Sequence, residues 1–158
     1  MDSKADQLIR QQLVRHLKGG QAFSPIGKVV DEMPFEKIGV IPDSLPYSFY
    51  QLFYHIRVAQ ADLLEYCRDD NYQAPEWPAD YWPDDPSPAD KGEWESLIKS
   101  YKNERQEFCD LLLSSQTDLL EPFPSNEDHN ILRQSELIIE HTAYHTGQLY
   151  LIYRLLNQ

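Results

Sequence analysis

The chain has 158 residues, of which 41% are hydrophobic and 12% aromatic, a composition typical of a globular protein and not of a disordered one. Its formal net charge of −12 and its lack of any Lys/Arg cluster argue against nucleic acids and anionic membrane surfaces as partners. The length predicts one domain over residues 1–158, large enough to bury a hydrophobic core without disulfides.

The N-terminus and the cysteines predict the compartment. Residues 1–6 are polar and lack the apolar core of a signal peptide, and no segment is long and apolar enough to span a bilayer. Cys67 and Cys109 form neither a CxxC pair nor a disulfide framework, so we expect them to be small core residues rather than nucleophiles. A cytoplasmic protein with reduced thiols is expected.

The first part of the chain predicts a long helix followed by a short one. Apolar residues recur on one side of residues 3–18, and the glycine pair 19–20 is expected to end that helix. The short helix is expected over residues 25–31, with Ser24 as its N-cap and Pro25 at the first helical position.

The second long helix is predicted to begin after Ser48, a favourable N-cap, and to end near Asp69. Residues 70–88 contain five prolines, which exclude a helix there. Because this segment also carries Trp77 and Trp82, we expect a long loop packed over the helices, with its aromatic residues anchoring it more often than contacting a ligand.

Two further long helices complete the predicted fold. The third is expected to start at the N-cap Asp90, with Glu93 completing a capping box, and to run through a regular apolar period. The fourth covers about residues 130–156. Four long helices with little strand signal predict an all-α protein, an antiparallel four-helix bundle with a long Pro- and aromatic-rich loop between the second and third main helices.

A histidine pair on the last helix is the main functional signal. His141 and His145 are four residues apart, so their side chains point the same way and could share one metal ion. They share a stripe with apolar residues, which places them toward the core, where an imidazole needs a partner. On spacing alone, a metal and an ordinary hydrogen-bond partner are equally acceptable. Of the other histidines, His55 has the best position for a third ligand, because His16 and His129 lie near helix ends.

Four segments carry a resemblance to a known family. They are Pro46-Tyr47-Ser48 before a helix with Leu52 and His55, Ala74-Pro75-Glu76-Trp77-Pro78, Tyr81-Trp82-Pro83, and Glu140-His141-Thr142-Ala143-Tyr144-His145-Thr146-Gly147-Gln148-Leu149. In order and spacing the chain resembles the DinB-like (YfiT-like) superfamily of metal-dependent enzymes. The resemblance implies a four-helix bundle, often a homodimer, in which His55, His141 and His145 bind a divalent ion. Zinc or nickel is the expected metal, with iron or manganese as alternatives.

Three histidines without an evident fourth ligand would leave the metal an open position for water or substrate. The catalytic group would then be a metal-bound water or thiolate at that position. The resemblance implies a thiol-dependent S-transferase, or a related hydrolase or isomerase, acting on a small molecule such as a low-molecular-weight thiol. The alternative is a non-catalytic, metal-stabilised helical bundle with a binding or stress-related role. Gln148, Tyr144 and Asp62 are candidates for orienting the ligands, since a metal-bound imidazole usually donates its other N–H.

Overall fold

The computed structural model describes residues 3–158, and Met1 and Asp2 of the polar N-terminal run lie outside the described residues. Over this range the chain is all-α, as predicted, with five α-helices and no β-strand. Short 3-10 turns at Phe35–Lys37 and Ala79–Tyr81 interrupt the connecting segments. Among the same residues, no helix combines the length and apolarity that a membrane span requires. The helices are α1 Ser3–Lys18, α2 Ile26–Glu32, α3 Phe49–Tyr66, α4 Lys91–Leu113 and α5 Ile131–Leu156.

The helix starts reflect local side-chain chemistry. At α3 the Ser48 hydroxyl accepts a hydrogen bond from the Gln51 backbone N–H, and the Gln51 side chain accepts one from the Ser48 N–H, which is a complete capping box. The Asn130 side chain caps α5 by accepting from the Arg133 N–H. At the end of α1, Gly19 has a φ of 77°, a left-handed conformation that favours glycine and ends the helix there.

Three predicted helix ends differ in detail from the structure. Helix α2 begins at Ile26, because Pro25 has extended backbone (ψ 147°) and occupies the N-cap position itself. Helix α3 ends at Tyr66, one turn before the expected position near Asp69. Asp90 caps α4, but the carboxylate of Glu93 accepts from the Ala89 N–H and the Tyr50 hydroxyl, so the expected capping box is only half formed.

The packing of the long helices forms a helical bundle around two large apolar clusters, beside a small third one that includes Tyr81. Helix α3 packs against α4 and α5, while α1 packs against α4 and α5. One cluster includes Phe49, Phe53 and Trp94, and the other includes Leu64 and Phe108. Since α3 and α5 lie against each other, side chains at their seam are held between two rigid elements rather than on a mobile loop.

Candidate metal centre

The structure brings His55, His141 and His145 together at the seam between α3 and α5. Each offers one ring nitrogen, and these three atoms lie within 4.8 Å of one another. The Nε2 atoms of His55 and His141 are 3.0 Å apart. His55 is 3% exposed, whereas His141 and His145 are half-buried, so the cluster has a closed side on α3 and a more open side on α5. This arrangement is compatible with a divalent-metal site.

The position of the pair on α5 corrects the expectation that both histidines face the core. Buried positions of α5 include Ile138, Thr142 and Thr146, and the histidines border that face. Threonine is tolerated in the core here because its hydroxyl is bonded: Thr146 donates to the Thr142 carbonyl, and Thr142 accepts from Arg105. The histidines therefore lie at the edge of the core, where one side of the cluster can reach solvent.

All three imidazoles are held in the neutral form that metal ligation requires. Burial, followed by the proximity of His145, lowers the pKa of His55 to about 4. Burial and then the other two histidines lower the pKa of His141 to about 3, with a further contribution from Arg105. Burial also lowers the pKa of His145, opposed by its hydrogen bond to Gln148. Near neutral pH each ring thus keeps one nitrogen lone pair available for a cation.

The nitrogens fit a single ion. Bonds of about 2.0–2.1 Å at a tetrahedral angle would place two ligating nitrogens about 3.4 Å apart, close to the observed 3.0 Å between His55 and His141. Without a cation, these two facing Nε2 atoms can share only one hydrogen bond. Within the described part of the chain, no Cys, Asp or Glu joins the group, so the protein supplies three neutral ligands. A tetrahedral ion would keep one position for another molecule.

Gln148 lies where it can orient His145 for metal binding. Its Oε1 lies 2.5 Å from Nδ1 of His145, so Nδ1 carries the proton and Nε2 is the nitrogen left for a metal. Tyr144 contacts the same ring edge-on, at 4.8 Å between centroids, and is itself 65% exposed. Asp62 instead accepts a 2.6 Å hydrogen bond from the Tyr81 hydroxyl, so it acts on the loop and not on a histidine.

The aromatic loop covers the closed side of the cluster. The ring of Trp82 stacks on His55 at 4.2 Å and an interplanar angle of 5°. Nδ1 of His55 is buried without a hydrogen bond, although the Tyr81 backbone carbonyl is near enough to raise its pKa slightly. Trp77 is 66% exposed, and its ring centroid lies 6.1 Å from that of His55. The loop therefore both anchors itself, through buried Tyr81, and contacts the candidate ligand, through Trp82.

The stacking of Trp82 on His55 could not be found from the sequence, since the two residues lie 27 positions apart and no periodicity relates them. The only signal was the concentration of aromatic residues in a proline-rich loop, which indicates packing but not its target. The structure also places a hydrogen-bonded Tyr66 hydroxyl 3.0 Å from Nδ1 of His129, which is half-buried rather than solvated.

The other candidate groups lie away from the cluster. His16 is exposed in the last turn of α1, where its backbone carbonyl accepts from the Gly19 N–H. Burial raises the pKa of Cys67 to about 12, and burial also raises the pKa of Cys109. Both thiols are therefore protonated at neutral pH, as suits structural cysteines and not nucleophiles.

A family comparison matches the region that contains this site. The model of the DinB superfamily matches residues 26–149, which include all three clustered histidines. No curated protein and no solved structure has significant similarity to the chain. Because the match covers most of the chain in one block, from α2 into α5, the protein belongs to the DinB superfamily.

Proposed function

We propose that this protein is a metal-dependent enzyme in which His55, His141 and His145 bind one divalent ion, most favourably zinc or nickel. The observation that carries the proposal is the convergence of three neutral imidazoles from two packed helices, with ligand atoms within 4.8 Å of one another. The preferred reaction is transfer of an intact small thiol, through its sulfur, to an electrophilic carbon, with hydrolysis or isomerisation as related possibilities on the same site.

The ion would act as a Lewis acid, favouring the thiolate over the thiol at neutral pH. The thiol proton would leave to solvent, a C–S bond would form at the electrophilic carbon, and the bond from that carbon to its leaving group would break. The protein's own contribution is positional. Gln148 fixes which nitrogen of His145 is free, and Trp82 keeps water from the His55 side. Entry is expected beside the exposed ring of Trp77.

Metal analysis tests the site. Plasma mass spectrometry of tag-free protein purified without chelator should give about one zinc, nickel, iron or manganese per chain. The single changes His55→Ala, His141→Ala and His145→Ala should each remove most of that metal, because three ligands leave none to spare. His16→Ala, which changes an exposed histidine outside the cluster, is the matched control and should keep it. Full metal retention in any of the three variants would eliminate that residue as a ligand.

A reaction test separates catalysis from metal binding. In the cobalt-substituted protein, a thiol that binds the ion should change the visible spectrum, and the same change should be absent in His141→Ala. A panel of thiols that leaves the spectrum unchanged would count against sulfur transfer while leaving the metal site intact.

A non-catalytic, metal-stabilised bundle with a binding or stress-related role is the second candidate. The observation that favours it is the burial of His55 under Trp82, which limits solvent access on the α3 side of the site. In that case metal would raise the unfolding temperature through mass action, and no thiol or electrophile would perturb the ion.

We further propose that the chain is a single domain in which the four long helices form an antiparallel four-helix bundle. We propose that the protein is located in the cytoplasm and that it binds a small molecule, and neither nucleic acid nor a membrane.

The chain is proposed to form a homodimer through an exposed apolar face of α5. Tyr144, Leu151 and Leu155 recur on that face at spacings of seven and four residues, and all three are exposed.

Sedimentation checks the homodimer. Leu151→Glu should convert a dimer to a monomer in analytical ultracentrifugation, because a charge on this face would lose its hydration in the interface. Leu8→Glu changes an exposed leucine on α1, outside the proposed face, and should leave the dimer unchanged. Identical sedimentation of wild type and Leu151→Glu would rule this interface out.

A further inference from the structure

A cavity beside the histidine cluster offers a place for the body of a ligand. It lies between α3 and α5, has a volume of about 200 Å³ and has mostly apolar walls. Leu137 lines it and stands one helical turn before His141, about 6 Å along α5. Leu63 lines this cavity and also a gap beside His141 that is too narrow for a water molecule, so the cavity and the cluster lie along one seam but are not joined by a channel. A mostly apolar concavity with a few polar groups is the usual form of a small-molecule site.

Two opposite charges line this cavity without pairing. Asp62 and Arg133 both contribute to its wall, yet they form no ion pair with each other. Across residues 3–158, the Arg133 guanidinium has no ion pair or side-chain hydrogen bond, although it is only partly exposed. The Asp62 carboxylate accepts a hydrogen bond from the Tyr81 hydroxyl, which positions it without neutralising it. The Arg133 guanidinium and the Asp62 carboxylate are thus both available to a ligand that carries a negative and a positive charge.

Gln134 supplies an independent sign of a missing ligand. This residue lines the same cavity and is 1% exposed, and its Oε1 is buried without any hydrogen-bond partner. Leaving a buried amide oxygen without a donor is energetically costly, so such atoms are rare in folded proteins. A ligand N–H group in the cavity would satisfy it.

We infer that this cavity binds the zwitterionic end of an amino acid or a close derivative. Its carboxylate would pair with Arg133, and its ammonium would lie near Asp62 and the Oε1 of Gln134. The volume equals about seven water-sized groups, which suits a small amino acid. The side chain of the ligand would lie against Leu137, one helical turn from His141. This inference rests on the proposed function in one respect, that the far end of the ligand is the reacting thiol.

Titration of the protein as purified tests the cavity without using catalysis. L-methionine, whose thioether is not a reactive thiol, is the probe, and backbone NMR shifts of α3 and α5 are the readout. Two analogues, one lacking only the carboxylate and one lacking only the ammonium, should bind about tenfold more weakly or worse, since each loses a charge-assisted contact. Equal binding of all three compounds would overturn the proposal.

Variants locate the binding. Arg133→Met should weaken methionine binding about tenfold. Arg154→Met, which changes an arginine near the other end of α5, should not, and unchanged binding in Arg133→Met would refute the assignment. His141→Ala should lose metal but keep methionine binding, so failure of the metal site and failure of the cavity give different results. Circular dichroism of each variant confirms that the fold is retained.

Discussion

At the residue scale, the histidine cluster depends on which nitrogen of each ring carries its proton. Neutral imidazole has one N–H and one lone pair, and only the lone pair can bind a metal. For His145 the choice is made by Gln148, whose amide oxygen can only accept. This places the proton on Nδ1 and leaves Nε2 for the metal. A side chain that binds no metal itself can thus control metal affinity.

Replacing Gln148 by Leu should weaken metal affinity about 10- to 100-fold, because His145 would lose the acceptor that fixes its tautomer and ring angle. The stability of the metal-free protein should change little, since Gln148 is only partly buried. Competition with a chromophoric chelator measures the affinity. Gln12→Leu, at an exposed site on α1, serves as control. Equal affinities for wild type and Gln148→Leu would remove Gln148 from the site.

At the element scale, the two helices that carry the site start in different ways. The N-cap Ser48 of α3 is fully buried, accepts from the Gln51 N–H and donates to the carbonyl of Pro86 at 2.5 Å. The N-cap Asn130 of α5 makes a single capping bond, to the Arg133 N–H. Ser48 therefore holds both the helix and the end of the aromatic loop, whereas Asn130 holds the helix alone.

Ser48→Ala should lower the free energy of unfolding more than Asn130→Ala does. A lost cap costs about 1 kcal/mol, and the unpaired Pro86 carbonyl should add about 1 kcal/mol more for Ser48. Urea denaturation of the two variants measures the difference. A comparable loss in both would mean that the bond to Pro86 contributes nothing to stability.

The sequence predicts elements whose signals are local and misses contacts that depend on packing. The caps Ser48 and Asp90 are predicted because a short polar residue before an apolar period has one favourable use. The spacing of His141 and His145 is readable because helix geometry is fixed. The stacking of Trp82 on His55 cannot be predicted from the sequence, since a loop has no regular residue period from which its contacts would follow. The buried face of α5 was misjudged because Thr142, a polar residue, lies on it with a bonded hydroxyl.

At the scale of the whole molecule, one buried guanidinium joins the long helices. Arg105 on α4 donates to the Leu17 carbonyl of α1, to Gln60 of α3, to Thr142 of α5 and to the Tyr101 hydroxyl on its own helix. No carboxylate is among these acceptors. Its charge is shared by neutral oxygens and also helps to lower the pKa of His141, so bundle assembly and the candidate site are coupled through this residue.

Arg105→Lys should therefore destabilise the protein although it conserves charge. A lysine ammonium has three donors at one point and cannot span acceptors on three other helices, so at least two buried acceptors lose their bonds. The expected loss in the free energy of unfolding is about 3 kcal/mol or more, measured by urea denaturation. Arg68→Lys, at an exposed ion pair with Glu107, should change it by less than about 0.5 kcal/mol. If both variants were equally stable, the hydrogen bonds of Arg105 would not be what holds α3 and α5 in their relative position.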